Sequence, residues 1–159
     1  MDTLQILCTL SNVNSFLDVF ASDLLPCSIT KTCTAIVNGD PHTEGGSNWP
    51  AVHFRPKSSY AYYVESYGIL PFVPNILAFV TRNCTTWDRN KKTLISLTGD
   101  VCGKYCCLFT LYMDRGYTPQ QFVALFGDAA DRQVEEMFTA EFGAKIPRGG
   151  WGQCCRSCL

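Results

Sequence analysis

The segment Asp100 to Leu108, DVCGKYCCL, constrains this chain more than any other. It sets Cys102 before Gly103, at the head of an apolar run that reaches Met113. The run reads as a buried helix stopped by Gly116. A thiol at a helix N-terminus sits in the positive field of unpaired backbone N–H groups, which favours thiolate, and the same groups can bind a developing oxyanion. This is the setting of a nucleophilic cysteine. Peptide cleavage further requires a base and a group that orients it.

At 159 residues the chain suits one domain with a core of its own. Hydrophobic residues make up 47% and charged residues 17%, which excludes a disordered polypeptide. A net charge of −1 exerts no global pull on nucleic acid or anionic membrane. Arg82, Arg89, Lys91 and Lys92 form a modest basic cluster that reads as a solvated loop. No apolar run reaches the roughly 20 residues of a membrane span. The ten cysteines do not form a secreted disulfide pattern, since Cys106 and Cys107 are adjacent inside the apolar run. The start, MDTLQILCTL, lacks a basic leader. A reducing interior, cytosolic or nuclear, is therefore expected.

Residues 11–31 are expected to form a short helix or turn and then a loop ended by Pro26. Strands are expected at residues 34–38, 49–54 and 59–64, with Pro50 confining the second to an edge or its start. Pro71 is expected to open a helix to about Thr81, and Leu94 to Leu97 to form a short strand. Thr118 and Pro119 give an N-cap and first turn for a helix to Phe126, and Asp128 is expected to cap another to Phe142. The order of elements is α+β. It predicts a single domain over residues 1–143 and a Gly- and Cys-rich tail over 144–159. The tail's Cys154, Cys155 and Cys158 lack the partners for a four-ligand zinc site, and neither cofactor nor metal is expected.

Glu65 closes the third strand, where a carboxylate can orient a histidine across a cleft. Four strings extend this pattern. NGDPHTEGGSNWPAVHF, from Asn38 to Phe54, resembles the base-bearing segment of the adenovirus-type (adenain-like) cysteine endopeptidases, a group that includes proteins of adintoviruses and Polinton/Maverick elements. Asn38, Asp40, Pro41, Gly46, Ser47 and Trp49 fall in register with it. YYVESYGILP resembles their acid-bearing strand and carries that acid onto Glu65, while DVCGKYCCLF carries the nucleophile onto Cys102. FASDLLP, from Phe20 to Pro26, is similar to an upstream segment of the Polinton-type members. The resemblance spans about residues 16–126. It implies a papain-related fold like that of the SUMO proteases, with a central mixed sheet and the cysteine helix packed on it. It also implies a protein or peptide substrate such as a viral structural precursor, work in the host nucleus or cytoplasm or in virions, and nucleic-acid binding as the family shows it.

Two positions depart from that pattern. The residue expected to be the base histidine is Asn48, whose amide does not titrate. The residue expected to be the oxyanion glutamine is Ile95, which has no side-chain donor. The chain has two histidines. His53, five residues beyond Asn48 and roughly 16 Å along a strand, is expected on the opposite sheet face as a strand or surface residue. His42 lies in the glycine-flanked loop before Asn48 and is the alternative base. The sequence therefore supports either an impaired endopeptidase or an inactive homologue that binds peptides.

Overall fold

The sheet grows outward from β2 (Cys33–Asn38), whose six residues are all buried. A strand that is apolar on both faces needs a layer on each side. In the computed structural model, which describes residues 1–45, 48–94, 101–127 and 130–143, both layers are present. β1 (Phe16–Ala21) pairs parallel to β2, and β3 (Ala51–Arg55) and β4 (Tyr60–Val64) follow antiparallel. β5 (Thr86–Arg89) pairs parallel to β4. The result is a five-stranded mixed sheet in the order β1-β2-β3-β4-β5. The parallel step from β4 to β5 runs through α2 (Pro74–Asn83), the crossover that such a pair requires.

The period of two sorts the strand side chains cleanly. Ala35, Val37, Val52, Phe54, Ala61 and Tyr63 face α2, packing with Ile76, Phe79 and Val80. Ile36, Ala51, Tyr62 and Val64 face the other layer, centred on α3 (Cys102–Asp114). Around α3 lie α1 (Thr3–Leu10), the short α4 (Pro119–Val123) and α5 (Asp131–Phe142). Tyr105, Cys106, Cys107, Leu108 and Phe109 of α3 are fully buried, so the helix is apolar on every side as expected. Phe122 bridges α4 to it, 5.2 Å from Tyr105 and 5.4 Å from Phe109 between ring centres.

The three strands and the cysteine helix fall where the sequence places them, and Pro50 stands immediately before β3. Thr118 closes a capping box with Gln121 ahead of Pro119, although α4 stops at Val123 rather than Phe126. Other elements differ. Residues 16–21 form strand β1 and not a helix or turn, because β2 supplies a partner edge that local pattern does not reveal. α2 opens at Pro74 rather than Pro71, leaving Leu70 and Phe72 exposed ahead of it. The cluster read as a solvated loop includes β5, whose Thr86 and Asp88 face water while β4 holds its backbone. α1 carries a capping box between Asp2 and Gln5 that was not read from the sequence. Of the strand expected at Leu94 to Leu97, Leu94 lies outside any strand and the rest lies outside the described residues, as do Asp128 and the tail.

The turn after β4 depends on Gly68, whose φ of +68° is strained for any side chain. A Cβ there would lie 2.7 Å from both the backbone carbon and oxygen of Lys92. Gly68→Ala is therefore expected to lower stability by more than about 2 kcal/mol in urea unfolding, combining left-handed strain with a backbone clash.

Candidate active site

Glu65 follows β4 directly, and its residue is fully buried. Asn90, just past β5, grips its peptide from both sides: Asn90 Nδ2 donates to the Glu65 carbonyl at 2.6 Å, and the Glu65 N–H donates to Asn90 Oδ1 at 3.0 Å. The side chain then curls back under its own turn. Glu65 Oε2 accepts from the Tyr67 N–H at 2.9 Å and the Ile69 N–H at 3.3 Å. Burial pushes the carboxyl pKa up from its ordinary 4.5. Those two N–H groups, with Asn48 and Ser66 beside the carboxyl, oppose that rise by favouring the ionised form.

Asn48 and Trp49 lead into β3. The Asn48 carbonyl accepts from the Gly39 N–H at 2.9 Å, which closes the base of the β2–β3 loop. Trp49 is 2% exposed and sits against the first turn of α3, its Cδ1 lying 3.6 Å from where a Gly103 Cβ would stand. One turn deeper, the Cys106 thiol donates to the Trp49 carbonyl at 2.7 Å. This bond pins the Asn48–Trp49 segment to the cysteine helix. Cys102 is the first residue of α3 and is buried, and Val101 before it offers no side-chain cap to the first-turn N–H groups. The fold thus gathers Asn48, Trp49, Glu65 and the head of α3 into one region. Ile95 lies outside the described residues.

Both histidines are engaged elsewhere. His42 Nδ1 lies 2.6 Å from Asp23 Oδ2, and the His42 N–H donates to Asp23 Oδ1 at 2.9 Å. This bond holds the Asp23 carboxyl pKa below its ordinary value and ties the β2–β3 loop to the turn after β1. His42 lines a cavity of about 700 Å³ between the start of α1, β1 and Trp49. His53 is 2% exposed and shares a 2.9 Å hydrogen bond with Thr34 Oγ1. Its ring meets Phe109 edge-on at 6.4 Å, so it faces α3 and is not a surface residue. The face expected from parity with Asn48 fails because the strand begins only at Ala51. Phe109 lies seven residues along α3 from Cys102, about 10 Å of helix.

Sequence reasoning missed three residues that hold this arrangement, namely Asn90, Cys106 and Asp23. Asn90 sat in an apparent loop and Cys106 in an apolar helix, so neither carried a local signal. Asp23 lay inside the FASDLLP string, without a visible partner.

No protein-family model and no curated protein matches this chain. Among solved structures, the ASFV pS273R protease is similar, with a TM-score of 0.54 at 16% sequence identity. The match covers 70% of this chain and 44% of that one, so this chain spans less than half the length of that protease. The likeness defines the fold: a mixed sheet with helices packed on it, of the SUMO-protease-like cysteine protease kind. No helix among the described residues is long and apolar enough to cross a membrane.

Burial lowers the His53 pKa from 6.5 to about 4. The folded imidazole therefore stays neutral where the unfolded one protonates, and stability is lost as pH falls from 6.5 toward 4. Over that range the wild type is expected to lose up to about 3 kcal/mol relative to His53→Gln, read as the pH dependence of urea midpoints.

Proposed function

We propose that this chain is an adenain-like cysteine endopeptidase homologue of viral or mobile-element type, impaired in peptide-bond hydrolysis because Asn48 stands where a base is needed. The protease-like domain spans residues 1–143, with 144–159 as its tail. Cys102 is the nucleophile, and the uncapped first turn of α3 aims backbone N–H groups at the developing oxyanion. Glu65 is the orienting acid. Ile95 stands at the oxyanion-glutamine position by resemblance. The substrate class is a protein or peptide such as a viral structural precursor, processed in the host nucleus or cytoplasm.

One observation carries this reading. Asn48 lies beside the buried Glu65 carboxyl, in the segment that Cys106 pins to the cysteine helix. An imidazole in that segment would adjoin the acid, as the base of a Cys-His-acid set does. Asn48 accepts no proton from a thiol, and the rings of His42 and His53 are held by Asp23 and Thr34. A second reading, a peptide-binding module without turnover, is favoured by that same engagement of both histidines.

Asn48→His is expected to raise kcat/KM on a Gly-Gly-type peptide by about 10²-fold or more, the usual worth of a positioned base. Adding Ile95→Gln is expected to give a further gain of about 10²-fold. Cys102→Ala should abolish turnover in every background. Folded Asn48→His protein with no turnover would leave the binding-module reading. Cleavage by the native chain that His42→Ala abolishes would refute the assignment of Asn48.

A further inference from the structure

The basic cluster expected to be a solvated loop borders a cavity. Arg89, Lys91 and Lys92 line a space of about 500 Å³ between α4 and the segment leaving β5, together with Tyr62, Asp88 and Phe126. Ligand pockets are commonly of this size. Arg89 is fixed there, because its Nη1 donates to the Gly68 carbonyl at 2.6 Å and the Asn90 carbonyl at 3.1 Å. Both acceptors are neutral, so these bonds leave the guanidinium charge in place. Neither Arg89 nor Lys91 forms an ion pair with a carboxylate among the described residues. Lys92 Nζ lies 3.5 Å from the Phe126 carbonyl, on the same wall.

A second observation points to a ligand. Tyr62 lines the cavity although only 3% of its surface is exposed. Its hydroxyl has no hydrogen-bond partner among the described residues, and it is not one of the unpaired atoms sealed inside the core. Burial, and after it the Asp88 charge, pushes the Tyr62 pKa up to about 12, so the hydroxyl keeps its proton at neutral pH. A polar group this enclosed seldom goes unpaired, and the cavity is where its partner can stand. Arg89, Lys91 and Tyr62 thus turn donors toward one space, two of them charged, which suits an oxyanion. Asp88 stands opposite Tyr62 in the β4–β5 register and lines the same cavity. Its charge opposes a phosphate dianion more than a single carboxylate, and its oxygens can accept from a peptide N–H. Phe126, 4% exposed, gives the wall an apolar part.

We propose that this cavity binds an acidic peptide segment, whose carboxylate is received by Arg89, Lys91 and the Tyr62 hydroxyl while a neighbouring apolar side chain lies on Phe126. The choice of a peptide over another carboxylate rests on the protease-like function proposed above; the anion site itself does not. Asn90 lines the cavity and also grips the Glu65 peptide, so the anion site and the acid share one side chain. The cavity beside His42 and Trp49 has a different lining and is a separate space.

Calorimetric titration of the Cys102→Ala chain at low salt tests this, with the N-acetylated, C-amidated peptide Gly-Leu-Glu-Phe-Gly-Gly as probe. Saturable binding is expected, weakened about 10-fold when Gln replaces the peptide's Glu. Tyr62→Phe is expected to weaken binding about 10-fold without lowering Tm, since its hydroxyl bonds nothing in the free protein. Lys91 is exposed, so Lys91→Gln carries the same test without touching the core, with an expected loss of about 3-fold. Asp88→Asn is expected to tighten binding about 3-fold, the opposite sign. No binding at millimolar peptide, equal binding of the Gln peptide, or wild-type affinity in Lys91→Gln overturns the site. A single-stranded thymidine oligonucleotide that binds more tightly than the peptide and loses affinity in Lys91→Gln also overturns it, reassigning the cavity to nucleic acid. Binding is read without turnover, so this site and the assignment of Cys102 and Asn48 can fail separately.

Discussion

All-round burial of α3 is the constraint on which the rest of the molecule depends. A helix whose second turn, Cys106 to Phe109, exposes no surface must be enclosed by a sheet and by other helices. Ile36, Ala51, Tyr62 and Val64 form its floor, and α1, α4 and α5 form its walls. With its sides covered, the helix can present chemistry only at its ends. The C-terminal end is tied down where Asp114 Oδ1 accepts the Ser15 N–H at 2.7 Å. The N-terminal end carries Cys102, with Trp49 and Met1 close to Gly103. One packing requirement therefore decides both where the sheet lies and where Cys102 sits.

The electrostatics of the region follow from how Glu65 is held. A buried carboxyl is unfavourable when charged, and its pKa rises accordingly. The turn at Gly68 returns the Tyr67 and Ile69 N–H groups onto one oxygen, and Asn90 fixes the peptide from which that turn departs. Asn48 and Ser66 lie beside the same carboxyl. The two histidines serve as a loop tie to Asp23 and as a buried partner of Thr34.

Much of the fold could be read along the chain where local chemistry and tertiary role agree. Three strands, the cysteine helix and the Thr118–Pro119 start are of this kind, since propensity, caps and burial all point the same way. β1 and β5 could not be read in this way. Both are edge strands with polar or half-exposed side chains, and their backbone partners lie 17 or more residues away in sequence. His53 was misplaced because a parity count ran across residues that are not strand. Asn90 and Cys106 act through contacts with main-chain groups distant in sequence, which no local spacing encodes.

The sequence alone determined which side chains this protein has for chemistry: a cysteine at a helix head, a glutamate closing a strand, an asparagine before Trp49 and no third histidine. Those identities set what can ionise and what can donate, whatever the fold. Only the tertiary structure decided which of them meet. The packed fold brought Asn48 beside Glu65, and sent His42 to Asp23 and His53 to Thr34. Hydrogen bonds between distant segments form only after the chain has packed, so their partners are a property of the core and not of the local string.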